Sequence, residues 1–235
     1  VTHSGHVFDA SFSQFATAEY DDGSLMPVDE VVDHMNFLMM AAHDTITSSA
    51  TSLLWLLAKN PEWQEKLRQE VEAVTGGTGT DGRPRDLAYE DLGKLELTEM
   101  AFKEALRFVP PVPSMPRRAL REFEYGGYRI PAGTPVGINI HWTHHSEEYW
   151  DEPEKFDPLR FTPDQVKARH KYAWVPFGGG AHMCLGLHFA YMQVKILMAQ
   201  LLPRYRVELA DGDPEWQAWP IPKPKDRLKI RLTAL

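Results

Sequence analysis

One cysteine, Cys184, stands among 235 residues, so no internal disulfide can form. A chain without disulfides suits a reducing compartment, and a cytoplasmic location is the expectation. No run of about eighteen apolar residues occurs, and no signal-peptide pattern opens the chain. The first residue is Val1 rather than Met, in a weakly patterned stretch, so an anchor or address outside this sequence stays open. Positive charge is also in deficit. With 25 Lys and Arg against 33 Asp and Glu, the net charge is -8, which argues against a sequence-independent grip on nucleic acid. There is no poverty of apolar or aromatic residues, at 43% and 11%, which argues against disorder and for a core of ordinary size.

The chain divides by texture. Residues 1–26 lack a clear period and read as a lead-in segment ending in the turn Asp21-Asp22-Gly23-Ser24. From Pro27 apolar residues recur at three and four: Val28, Val31, Val32, Met35, Leu38, Met39, Ala42, Ile46, Ala50, Leu53, Leu54 and Leu57. The pattern predicts one long helix, apolar nearly all round and so buried. Asn60-Pro61 predicts a restart, with Asn as N-cap and Pro in the first turn, running to Gly76-Gly77. A Gly-rich connector, 76–82, reads as a loop. A third helix runs over about Leu95 to Phe108 and stops at Pro110-Pro111. A hairpin turning at Gly126-Gly127 follows, then a short strand from Pro135 to Ile140. Residues 141–183 read as loop-rich, with a short helix at Thr162-Pro163. A last helix begins near Cys184 and ends at Pro203, and strands at about Tyr205–Leu209 and Leu228–Leu232 close the chain.

Chemistry concentrates in three places. The first is Phe177 to Gly186, F-G-G-G-A-H-M-C-L-G. Its glycines permit left-handed turns and close approach to a flat ligand, and Cys184 sits directly before a helix, where orphan N–H groups favour a thiolate. A thiolate can ligate iron; the alternative is a buried free cysteine acting as a small hydrophobe. The second is Glu104-Ala105-Leu106-Arg107, whose acid and base lie on one helical face, with Phe156-Asp157-Pro158-Leu159-Arg160-Phe161 some way downstream. Such pairs are often solvated decoration. The third is Ala41-Ala42-His43-Asp44-Thr45-Ile46 inside the long apolar helix, where an unpaired Asp and Thr are expensive to bury. Either these face water, or the Thr hydroxyl bonds back to the preceding turn.

Phe177, Gly180, Cys184 and Gly186 resemble the heme signature F-x-x-G-x-x-x-C-x-G of the cytochrome P450 family at every defined position. Glu104 and Arg107 resemble its E-x-x-R helix, Arg160 its later F-x-P-x-R-F segment, and Asp44 and Thr45 its acid–alcohol pair. The last motif departs from the family at Ala42, where Gly is usual, and at Ile46, where Ser or Thr is usual. The resemblance, from about residue 27 to 235, implies a mostly α fold with a small β part: the C-terminal, heme-binding portion of a P450 domain. It implies heme b (iron protoporphyrin IX) as cofactor, with Cys184 as the metal ligand. Phe177, Gly178, Gly186, Ala41 and Ala42 would line the cofactor, and His182 and Arg117 would meet its propionates. For those two the alternatives are an exposed loop histidine and a surface arginine, with Arg118 the next candidate. Asp44 and Thr45 would be the catalytic proton-delivery pair, and Glu104, Arg107 and Arg160 a structural charge triad.

The implied reaction is monooxygenation of a small hydrophobic substrate, such as a lipid, terpenoid or steroid. Electrons would come from a ferredoxin or a flavoprotein reductase. Since the family's chains are about twice this long, the expectation is an incomplete enzyme, with self-association through the uncovered face of the long helix. Two other readings stand beside this one. One is a heme-binding fragment without turnover. The other is a copper electron carrier using Cys184, His188 and Met192, which would require a β-sandwich. His141, His144 and His145 lack a close acidic or cysteine partner and read as loop decoration.

Overall fold

The computed structural model describes residues 11–76 and 85–235. Of the connector expected at 76–82, all but Gly76 falls outside the described residues. The chain forms two compact units that divide inside one helix, after Asp44.

In the first unit a short helix α1 (Ser11–Ala16) is followed by a turn and the first half of α2 (Val28–Lys59). The turn closes through Tyr20 and Ser24, with Gly23 left-handed at φ +81. The Asp22 carboxylate accepts from the Ser24 amide and hydroxyl, which lowers its pKa. Phe15 stacks on His34 and Val31 is buried. Val28, Val32, Phe37, Met39 and Met40 are exposed, so α2 is not buried along this half as its composition predicted. An all-round apolar helix says that cover is needed, not that it is supplied.

In the second unit α2 continues, and its Leu53, Leu56 and Leu57 enter the core. α3 (Pro61–Thr75) adds Trp63 and Leu67, and α4 (Glu96–Phe108) adds Ala101, Phe102, Ala105 and Leu106. α7 (Leu187–Leu201) adds Val194 and Met198. Each such large side chain contributes about 1.5–3 kcal/mol on burial. Polar side chains tie these elements together. Glu70 on α3 accepts from the Leu97 and Thr98 amides and the Thr98 hydroxyl, capping α4 from outside. Gln64 pairs through both ends of its amide with Val207, whose strand β5 spans Tyr205–Leu209. Lys195 on α7 reaches the Leu92 carbonyl and Glu99. Asn60 does not cap α3: its amide donates back to the Leu56 carbonyl, closing α2 instead.

Among the described residues the strands form four antiparallel pairs. β1 (Ser114–Arg118) pairs with β4 (Pro135–Asn139), and β2 (Phe123–Tyr125) with β3 (Tyr128–Ile130). The β2–β3 hairpin turns on Gly126 and Gly127, both at positive φ. β5 pairs with β8 (Ile230–Ala234), and β6 (Trp216–Gln217) with β7 (Lys223–Pro224). Between β4 and α7 lie two short helices, α5 (Ile140–His145) and α6 (Pro163–Ala168). The stretch read as loop from residue 141 thus begins as helix, because the Asn139 side chain accepts from the Trp142 amide and caps it.

Candidate functional site

The cysteine loop is built on its glycines. Gly178 and Gly180 hold φ of +73 and +71, conformations that side-chain-bearing residues rarely adopt. A Cβ on Gly178 would meet Met115 Sδ at 3.5 Å and the His182 carbonyl at 3.6 Å, so the loop lies directly against β1. Beside Gly179 and Gly180 the space is open. The loop is closed by the Cys184 amide donating to the Phe177 carbonyl at 2.9 Å and the Met183 amide to Gly180 at 3.1 Å. Phe177 anchors it below, packing on Trp174 and Tyr191. Gly186 precedes α7, accepting from the Ala190 amide. Cys184 itself is exposed, with Met183, Leu185 and Phe189 exposed around it. Of the two readings of the cysteine, the buried hydrophobe is therefore the wrong one. His182 is exposed on the same loop. Arg117 on β1 is exposed, and its guanidinium approaches Met115 Sδ at 3.9 Å. Met115 thus joins Arg117 to the cysteine loop, a link the sequence reading missed. Arg118 turns instead to the Gly133 carbonyl at 3.1 Å.

The Glu104 and Arg107 side chains are both 0% exposed. Arg107 grips Glu104 with two parallel bonds, Nε to Oε2 at 2.8 Å and Nη2 to Oε1 at 2.9 Å. Glu104 Oε1 also accepts from the Asp157 amide at 3.0 Å. Arg160 brings its Nε to 3.4 Å from the same oxygen, an ion pair short of hydrogen-bond geometry, while its Nη2 donates to the Glu152 carbonyl at 2.9 Å. The three residues form one cluster, and none of it is surface decoration.

Asp44 and Thr45 are consecutive on α2. Asp44 is exposed and bonded to the His43 ring at 2.8 Å. Thr45 is half-buried, and its carbonyl accepts from the Ser49 hydroxyl at 2.8 Å. Ala41 is half-buried and Ala42 exposed.

The histidine cluster is not loop decoration. Among the described residues no group of three His, Cys, Asp or Glu could hold a metal, but His144 is fully buried in α5. Burial, together with the Arg107 charge, pushes its ring down to about 3. The native ring is therefore neutral, while an unfolded one takes up a proton below about pH 6.5. Stability from this group is full above pH 6.5 and declines by about 1.4 kcal/mol per unit as the pH falls toward 3. Urea midpoints at about pH 7 and pH 5 should thus separate more for the wild type than for His144→Gln, which does not titrate.

Set beside solved structures, this architecture is similar to that of retinoic acid bound cyanobacterial CYP120A1. The TM-score is 0.87 at 31% identity, over 95% of this chain and 50% of that one. A family model described as Cytochrome P450 matches residues 8–229. The chain belongs to the cytochrome P450 family, with the mostly α fold and small β part of that family. Cytochrome P450 136 of Mycobacterium tuberculosis is 41% identical over 217 residues, 91% of this chain and 42% of its own length. Human cytochrome P450 4F2 is 35% identical over 188 residues, 80% of this chain and 35% of its own. The taurochenodeoxycholic 6 alpha-hydroxylase of Sus scrofa is 35% identical over 191 residues, 81% and 36% respectively. The chain spans about two-fifths of the length of the curated relatives it matches. The copper reading of Cys184, His188 and Met192 has no support, since it needs a β-sandwich and the sheets are two-stranded ribbons among helices. Among the described residues no helix is long and apolar enough to cross a membrane.

Proposed function

We propose that this chain supplies the heme-thiolate part of a monooxygenase acting on a hydrophobic organic substrate. The observation that carries the reading is the cysteine loop. A lone exposed thiol stands on a glycine-built ledge, with exposed apolar side chains around it and two hydrogen-bond donors, Arg117 and His182, on the strand it rests on and on the loop itself. That donor set fits heme b: one soft ligand for iron, apolar contact for the macrocycle, and hydrogen-bond donors for its two carboxylates. When bound, the heme supplies dioxygen activation, which thiolate ligation favours. The protein's own part is to hold and to position. Cys184 would bind and Phe177 fixes the loop that carries it, while Gly178 lets that loop pack against β1 and Gly186 puts no side chain beside Cys184 Sγ. The substrate class proposed is a lipid, terpenoid or steroid, and the electron donor a ferredoxin or flavoprotein reductase. Titration of heme into the purified chain tests the reading. Saturation at one equivalent supports it, and no saturable binding overturns it.

Asp44 and Thr45 are assigned the holding and passing of a proton on α2. Thr45→Ala should bind heme and substrate as the wild type does, yet form less product per reduced nicotinamide consumed, the remaining reducing equivalents leaving as hydrogen peroxide. General acid–base assistance of this kind is worth roughly 100-fold or more in rate. Unchanged coupling would remove Thr45 from the mechanism. The exposed apolar side of α2, from Val28 to Met40, is the face through which self-association is proposed.

A further inference from the structure

We propose that His144 is a positioning residue, a peg that fastens the cysteine loop to the buried Glu104–Arg107 pair. Its two ends serve two different elements. The His144 carbonyl accepts from Arg107 Nη1 at 2.8 Å, so the backbone of α5 is held by the guanidinium that Glu104 orients. The ring reaches the other way: Nε2 lies 3.1 Å from the Val175 amide nitrogen, which can only donate. From Val175 the connection continues by backbone bonds alone. The Gly178 amide donates to the Val175 carbonyl at 3.0 Å, and the Cys184 amide to the Phe177 carbonyl at 2.9 Å. A continuous run of hydrogen bonds therefore leads from the ion pair, through one histidine, to the cysteine.

The geometry also dictates the tautomer. Because Nε2 accepts, the neutral ring must carry its proton on Nδ1. Nδ1 is buried and has no hydrogen-bond partner. The edge of the ring rests on Trp150. The Nε2–H tautomer would set N–H against N–H at Val175, so the Nδ1–H form alone keeps that amide paired. No apolar residue can replace the acceptor. Gln can, because its Oε1 reaches about as far as Nε2, whereas Asn falls one carbon short.

The proposal needs the heme reading only for its consequence, and the experiment separates the two. In the unmodified chain, the imidazole nitrogen resonances of His144 should report the Nδ1–H tautomer; an Nε2–H tautomer would overturn the peg whatever the chain binds. Amide exchange in the heme-free chain comes next. Val175, Gly178 and Cys184 should exchange about tenfold or more faster in His144→Leu and His144→Asn, and close to the wild-type rate in His144→Gln. Equal protection of these three amides in all variants would overturn the proposal, as would failure of Gln to rescue. With heme added, the Leu and Asn variants should release it faster than the Gln variant. Equal release despite the exchange pattern would mean that the peg holds the loop without serving the cofactor, which contradicts its positioning role.

Discussion

Replacing Glu104 with Ala should destabilise the chain by about 3–5 kcal/mol, enough to lose most soluble, heme-loaded protein. The reason is charge left behind rather than contacts removed. Arg107 is fully buried and keeps two carbonyl partners, His144 and Lys155, but no carboxylate. Arg160, nearly buried, loses its only counter-charge in the cluster, and the Asp157 amide loses its acceptor. Two guanidiniums would then face one another with no anion between them. Glu104→Gln keeps the shape and part of the hydrogen bonding, so it should fall between Ala and the wild type. Urea unfolding of the three proteins measures this. A Glu104→Ala chain as stable as the wild type would show that the cluster does not hold the fold.

Exchanging Cys184 for His should leave the chain folded and abolish thiolate ligation entirely. Cys184 is exposed, so the substitution creates no cavity. The loop's shape comes from the glycines and from the Cys184 and Met183 amides, which any residue at position 184 retains. What changes is the donor. Imidazole is a neutral nitrogen ligand, whereas the thiolate is anionic and pushes electron density onto iron. Melting temperature should therefore stay within a few degrees, while the reduced carbon monoxide spectrum changes class. A Cys184→His protein that kept the thiolate-type spectrum would remove Cys184 as ligand.

The local geometry of the candidate site was legible in the sequence wherever spacing alone carries it. Glu104 and Arg107 are three apart on a helix, and helical geometry brings them together in any context. The glycines before Cys184 announce backbone that ordinary residues rarely adopt, and the loop does adopt it at Gly178 and Gly180. Contacts between distant segments were not legible. Met115 and Arg117 sit in a run of prolines and arginines that resembles no strand, and β1 exists because β4 pairs with it. His144 could not be told from its neighbours His141 and His145: on a short helix only one position faces inward, and packing against Trp150 and Val175 decides which. The Asn139 cap was the local signal that α5 begins there. On α2 the apolar pattern gave the helix and nearly its length, but a one-dimensional pattern cannot say which side is covered. Leu53 is buried and Met40 is exposed on the same helix.

The most direct test is the carbon monoxide difference spectrum of the reduced, heme-reconstituted 235-residue chain. The expected result is the red-shifted Soret band of thiolate-ligated heme, appearing in proportion to the heme bound. A saturable heme complex that shows only the unshifted band of a nitrogen-ligated heme would contradict it.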